Sequence, residues 1–316
     1  MSKPTMTRRE RFQAAVAGRP VDHVPCTGWV HFITETLGGN EHAQRHIRWV
    51  RDNDWDICKV VNDFHYPFPE GTERLRNVED MLKFKPASLD EPSFSEELKA
   101  VRLLRAEFGE DMPIVLTVFE PLRQIVRRVG MSCMDMIFAH PEEAQHMLDA
   151  VADTTRRYMR ALKAAGCDGI FLASTGGLRP SARFGLPDAQ YETFVKPYER
   201  DLLQAAEGMV RILHVHGAGI DMQRVVDLPC EVFSISDRLP GNPSLAQMRG
   251  ITDKCIMGGI DESRIHDMTQ DELELQIADA VQQAGRDKLI LSPGCTLPAW
   301  VPAHQLRLIR HCACEA

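Results

Sequence analysis

Gly169-Ile170-Phe171-Leu172-Ala173-Ser174 is an unbroken run of apolar and small residues, flanked at 141–165 and 187–207 by longer stretches with helical spacing. A strand with one wet face alternates polar with apolar residues. A strand apolar at every position is buried on both faces, which is the condition of a parallel strand covered by helices. The same pattern recurs at 23–29, 57–63, 113–119, 211–216, 232–237, 254–260 and 288–292, where Leu289-Ile290-Leu291 repeats the unbroken character. Further helix-like stretches lie at 41–52, 96–108 and 269–284; the last sets Leu273, Ile277, Ala280 and Val281 among acids. Eight strand–helix units in 316 residues, with no Ser/Gly linker, predict the α/β class and a single (β/α)8 TIM barrel over residues 1–316. The competing doubly wound sheet expects a glycine-rich turn after its first strand. Here that segment is Val30-His31-Phe32-Ile33-Thr34, without a G-x-G-x-x-G.

Two stretches are irregular. Between 211 and 260 three predicted strands leave room only for short helices. The segment 64–95, with Pro67, Pro69, Pro86 and Pro92, reads as an active-site loop or lid.

Apolar residues at 44% and charged residues at 26% describe a folded, soluble enzyme-sized chain. The 37 Lys and Arg against 45 Asp and Glu give a net charge of −8, so no basic excess exists to neutralise a nucleic acid. No apolar run approaches the roughly 18–20 residues of a membrane-spanning helix. At the N-terminus, Thr7-Arg8-Arg9-Glu10 is a capping box opening a helix that ends near Gly18, and the Phe12/Val16 stripe suits a packed helix better than a transit peptide. Nine cysteines, an odd number without a disulfide framework, are expected to be reduced thiols in a cytoplasmic protein. Cys312 and Cys314 form a terminal Cys-x-Cys that reads as structural or incidental.

A barrel places its chemistry where strands end, on the C-terminal face. One strand ends Leu213-His214-Val215-His216-Gly217 and another ends Leu291-Ser292-Pro293-Gly294-Cys295. Residues i and i+2 of a strand share a face, so His214 and His216 point together. With Cys295 they make two imidazoles and a thiolate, a set suited to Zn2+ with a fourth position left for substrate. A hydrogen-bonded histidine pair beside a turn is the plainer reading of the same residues.

Other strand ends offer pocket candidates. Asn62, Asp63, His65 and Tyr66 follow the second strand as substrate-binding residues. The run Asp63-Phe64-His65-Tyr66-Pro67-Phe68 superficially resembles the Asp-x-His-x-x-Gly of corrinoid-binding proteins, but Phe68 stands at the glycine and the motif is rejected. Glu120 after the third strand is a candidate acid/base, a further metal ligand, or an acid at a helix start. Arg179 and Arg183 are candidates to hold a substrate carboxylate. Asp261 closes the seventh predicted strand as another candidate catalytic carboxylate.

The chain resembles the uroporphyrinogen decarboxylase superfamily in ordered segments. These are Met6-Thr7-Arg8-Arg9-Glu10-Arg11-Phe12, Pro20-Val21-Asp22-His23-Val24-Pro25, Asp56-Ile57-Cys58-Lys59-Val60, Gly166-Cys167-Asp168-Gly169-Ile170, Tyr191-x-x-Phe194-x-x-Pro197-Tyr198 and Gly258-Gly259-Ile260-Asp261. The resemblance implies a (β/α)8 barrel. True decarboxylases of the family carry an Arg-Gln-Ala-Gly-Arg segment after the first strand. Gly28-Trp29-Val30-His31-Phe32 has no arginine, which argues against a porphyrinogen substrate. The other branch comprises corrinoid-dependent methyltransferases whose zinc is held by His-x-Cys and a distant Cys. Here His214-x-His216 and Cys295 stand in that arrangement, with His216 in place of the first cysteine. A His₂Cys zinc receives less charge than a HisCys₂ zinc and is the stronger Lewis acid.

The resemblance therefore implies methyl exchange between a small methyl ether or thiol and cobalamin carried by a separate corrinoid protein, with a tilt towards demethylation. The alternatives are a metal-assisted decarboxylase or lyase on a small carboxylic acid, and a non-catalytic tetrapyrrole-binding barrel. The outer helices leave surface for a homodimer. The expected partners include neither nucleic acid nor membrane.

Overall fold

Strand formation follows the apolar runs. A computed structural model describes residues 4–316 and contains seven strands: β1 Cys58–Val60, β2 Ile114–Phe119, β3 Gly169–Ser174, β4 Val210–Val215, β5 Val232–Ile235, β6 Cys255–Ile260 and β7 Leu289–Pro293. They pair in sequence order, every pair parallel, in one curled sheet. The register runs Thr117 to Phe171 and Ala173 to His214, which brings the strand exits into line. Sequential order makes each connection a crossover over the outer face, and the helices Pro92–Phe108, Pro141–Ala164 and Gln270–Ala284 fill these crossovers. No helix among the described residues is long and apolar enough to cross a membrane, and all nine cysteines are free.

The predicted first strand differs. Residues 23–29 form a single parallel bridge, Cys26 to Leu291, with Thr27 N donating to Leu291 O at 3.1 Å and Leu291 N to Pro25 O at 2.9 Å. On its other side Asp56 N donates to Cys26 O at 3.0 Å. Pro25 has no N–H to give to a ladder, and pairing stops after one residue. The sheet thus has seven strands and a bridging segment. Similarly, the predicted helix 187–207 is two helices, Asp188–Phe194 and Lys196–Ala205, because Pro197 cannot donate into a continuous turn and starts a new one. Between β4 and β5 only the 3-10 turn Met222–Arg224 fits, as the crowding at 211–260 required.

Strand parity separates two cores. Ile57, Val61, Val115, Phe171, Ile212, Val232, Met257 and Ile290 alternate onto the inner face and pack with Phe12 and Ala15 of the helix Arg8–Val16. That helix starts at the expected capping box: Glu10 N donates to Thr7 Oγ1 at 3.2 Å and Thr7 N to Glu10 Oε2 at 2.8 Å. The opposite parity, with Val60, Leu116, Leu172, Leu213, Phe233 and Leu291, packs under the outer helices. Along the inner face the residues change character towards the strand exits, from Ile57 to Lys59, Val115 to Thr117, Ile212 to His214 and Val232 to Ser234. The apolar end stabilises the fold and the polar end is where a ligand can be held. The stretch 64–95 carries the short helix Val78–Leu82 and buries Tyr66, Leu75, Met81, Phe84 and Phe94 in the outer core.

Candidate metal centre

Period-two alternation carries His214 to the inner face at the end of β4, and His216 follows just beyond, its N–H donating to Ser174 O at 2.8 Å. Gly217, at φ 106°, then turns the chain away. Cys295 reaches the same place through Pro293-Gly294. A Cβ on Gly294 would lie 2.3 Å from Ser236 Cα, so only glycine lets the exit of β7 pack against that of β5. One donor atom from each of His214, His216 and Cys295 falls within 4.8 Å of the others. Cys295 Sγ lies 3.3 Å from His216 Nδ1. A tetrahedral zinc with ordinary Zn–N and Zn–S bonds has N···S edges of about 3.6 Å. His214 Nδ1 lies 3.2 Å from Ser234 Oγ, which orients the ring and leaves Nε2 free for a metal. Phe171 stacks on the same ring at 4.7 Å. Donor types, spacing and the outer hydrogen bond all fit a zinc ion.

Electrostatics agree with that donor set. Burial, then the charges of His216 and Lys59, push His214 well below its ordinary value. Burial, then Arg123 and His31, bring His216 to about 4. Both imidazoles are therefore neutral, as ligands must be. Burial, reinforced by Glu262, pushes the Cys295 thiol up to about 11. A dication would displace that proton, because metal binding and thiol deprotonation are one linked event.

The three residues share a cavity of about 180 Å3. Trp29, Val61, Phe119 and Phe171 give it apolar walls, and Lys59, Arg123 and Arg127 give it cations. No aspartate or glutamate lines it. Lys59 is buried, donates to Thr117 Oγ1 at 2.5 Å and lies 4.1 Å over Phe171. Its pKa falls to about 7 through burial, which Cys295, Asp63 and Glu97 oppose. Arg127 stacks on Phe119 at 3.9 Å and donates to Asn62 O at 3.2 Å. Arg123 has no ion-pair partner among the described residues. His31 stands at the same cavity with Nδ1 2.8 Å from Asp63 Oδ1.

The remaining candidates lie off the cavity wall. Asn62 Oδ1 accepts from Phe64 N, a local turn. Asp63 is buried behind His31. His65 Nδ1 lies 2.8 Å from Glu35, and the Tyr66 hydroxyl 3.0 Å from Thr154 in the outer core. Glu120 caps the helix Pro121–Val129 by accepting from Arg123 N at 2.9 Å, and burial beside Glu199 raises it to about 8. Asp261 accepts from Ser263 N and Oγ. Arg179 faces a separate groove with Asn242 and Gln247, because Arg179 N pairs with Gly219 O and turns the loop outward. Arg183 Cζ lies 5.0 Å from its neighbour Phe184 and lines no cavity with the three donors. The titratable cavity residues not singled out from sequence are His31, Lys59, Arg123 and Arg127. Lys59 carried a signal, as the lone charge in Ile57-Cys58-Lys59-Val60-Val61. Arg123 and Arg127, spaced i,i+4, lie on one helix face behind Glu120.

A model of the uroporphyrinogen decarboxylase (URO-D) family matches residues 63–315. The methylcobamide:CoM methyltransferase MtbA of Methanosarcina mazei is 23% identical over 244 residues, 76% of this chain and 69% of the relative. The uroporphyrinogen decarboxylase of Thermoplasma acidophilum is 24% identical over 255 residues, 78% of this chain and 71% of the relative. Among solved structures, a methyltransferase from Methanosarcina mazei superimposes with a TM-score of 0.76 at 16% identity, covering 98% of this chain and 99% of that one.

Proposed function

The chain belongs to the uroporphyrinogen decarboxylase family, and from that membership and the cavity we propose that it is a zinc-dependent methyltransferase exchanging a methyl group between a small anionic substrate and a separate corrinoid protein. The observation that carries this reading is the convergence of His214, His216 and Cys295 within 4.8 Å on the cavity wall. The curled sheet is then a (β/α)8 barrel whose first strand is reduced to the Cys26 bridge, and the cavity is its mouth. Zinc, when bound, supplies Lewis acidity to a thiol or to a methylated heteroatom. The chain's own residues do the rest. Phe171 and Trp29 form a wall that limits water. Lys59, Arg123 and Arg127 offer donors without a protein carboxylate to satisfy them, so an anionic group on the substrate completes the site.

Size favours this branch. A cavity of about 180 Å3 is below the roughly 300–1,000 Å3 of pockets that take drug-sized ligands, and a porphyrinogen is larger still. The absence of arginine in Gly28–Phe32 points the same way. The name of the M. mazei relative supplies the corrinoid and thiol chemistry as a precedent. The experiment is methyl exchange with the purified protein, run from methylcobalamin to mercaptoacetate and from methoxyacetate to cob(I)alamin. Exchange in either direction that requires Cys295 supports the assignment. Carbon dioxide release from small carboxylic acids with no corrinoid present, and no exchange in either arm, would replace it with a decarboxylase or lyase.

A further inference from the structure

One titratable residue of the cavity, His31, has no part in holding the metal. It lines the cavity with His216 and Cys295. Its side chain is 46% exposed, while that of Asp63 behind it is 5% exposed. The 2.8 Å contact joins His31 Nδ1 to Asp63 Oδ1. Asp63 is held ionised: burial would raise its pKa, but the hydrogen bond and charge of His31 and the charge of His42 bring it below the ordinary carboxylate range. An ionised carboxylate only accepts, so the proton in this contact belongs to Nδ1, and Nε2 is the ring nitrogen left for a ligand. Nε2 has no hydrogen-bond partner among the described residues.

Further polar groups lie behind Asp63. Its second oxygen lies 3.4 Å from Thr34 N. Thr34 Oγ1 meets His42 Nδ1, and His42 Nε2 lies 3.4 Å from Glu97 Oε1, with both of those side chains wholly buried. A surface histidine that merely filled space would need no such backing. The loop holding it is also strained: Ile33, two residues on, is a β-branched residue at φ 53° and 79% exposed. Such strain persists only where the surroundings impose it, and it clusters at functional sites.

We propose that His31, oriented by Asp63, is the catalytic residue that exchanges the proton with the substrate heteroatom in this cavity. The identity of that heteroatom rests on the methyl-transfer reading. With a thiol acceptor, the S–H bond breaks with its electron pair on sulfur and the proton passes to His31 Nε2. The sulfur pair forms the S–CH3 bond while the methyl–cobalt bond of the corrinoid partner breaks with its pair on cobalt. With a methyl ether donor the steps reverse: the O–CH3 bond breaks as cobalt(I) takes the methyl, and Nε2–H protonates the departing oxygen. Asp63 is a positioning residue, holding the tautomer that leaves Nε2 open.

The test uses the full chain loaded with zinc, methylcobalamin and mercaptoacetate. His31→Ala is expected to lower kcat by ~10²–10⁴-fold, the usual contribution of a positioned acid or base, with KM little changed and zinc content intact. Added imidazole is expected to restore turnover in His31→Ala and not in Cys295→Ala. Wild-type kcat in His31→Ala, or failure of imidazole to rescue a variant that keeps its zinc, overturns the proposal. A second readout does not need turnover. Nitrogen chemical shifts of neutral His31 are expected to report the Nδ1–H tautomer, lost in Asp63→Asn. An Nε2–H tautomer in the wild type overturns the dyad. Absent methyl transfer with the Nδ1–H tautomer present would instead count against the methyl-transfer reading alone.

Discussion

The two ends of the sheet treat charge in opposite ways. At the strand entrances the most deeply buried charges are paired. Arg11 is 2% exposed and donates to Asp22 and Asp56 at 2.7 Å each. Arg310 of the C-terminal helix Ala303–Glu315 donates to Asp56 at 2.7 Å, and Cys26 N to the same carboxylate at 3.0 Å. Asp168, just before β3, takes Arg9 at 2.6 Å and Arg105 at 2.5 Å. At the strand exits Lys59, Arg123 and Arg127 line a cavity without a carboxylate on its wall. Matched charges tie the chain's two terminal helices to the lead-ins of β1 and β3. The cations at the exits have no such ties.

Breaking the matched end should produce the largest loss of stability. Arg11→Met takes one cation from Asp22 and from the wholly buried Asp56, which keeps Arg310, and is expected to cost about 3 kcal/mol in urea unfolding, the low end of the penalty for removing one partner of a buried pair. Zinc bound per folded molecule should not change. The same network fixes an acid limit. Burial would raise Asp56, but His23, Arg310 and Arg11 carry it below its ordinary value; Asp22 is lowered by Arg11 and by the Met6 and Thr5 N–H groups against burial. Depressed carboxylates contribute stability above their unfolded pKa of about 3.9, and it is lost as pH falls through the folded values. Unfolding midpoints should therefore hold above pH 5 and drop below pH 4, less steeply in Arg11→Met.

At the other end the expected losses are in binding. Ser234→Ala removes the hydrogen bond that orients His214 and should weaken zinc affinity by ~10–100-fold, measured by chelator competition, with stability little altered. An unchanged affinity would mean that Phe171 stacking alone fixes the ring. Arg123→Ala should raise KM for an anionic substrate by about tenfold, the scale of one charge-assisted hydrogen bond, and leave KM for a neutral analogue alone. Smallest is Thr7→Ala, which deletes one capping box and should cost about 1 kcal/mol.

Legibility in sequence follows the same division. Parity along a strand is local, so His214 and His216 were readable as a pair, and Cys295 as the end of another strand. The sheet was readable wherever a run was long and apolar. It was overcounted at 23–29, where Pro25 cuts the ladder to one bridge. Loop direction is not local. Arg179 read as a carboxylate clamp, yet the bridge from Leu178 to Ile220 swings its loop into another groove. The cations that do face the cavity come from mid-strand Lys59 and from the helix Pro121–Val129, and which of that helix's residues meet the cavity is set by tertiary packing rather than by local sequence. His31 carried no signal of its own in the sequence, and only its contact with Asp63 sets it apart.

Metal stoichiometry of the purified protein and its variants decides whether His214, His216 and Cys295 hold zinc. One zinc per chain is expected in the wild type and in Arg11→Met, lost separately in His214→Ala, His216→Ala and Cys295→Ala while each variant stays folded by circular dichroism. Full zinc retained in all three alanine variants would contradict that expectation and remove the metal from this end of the sheet.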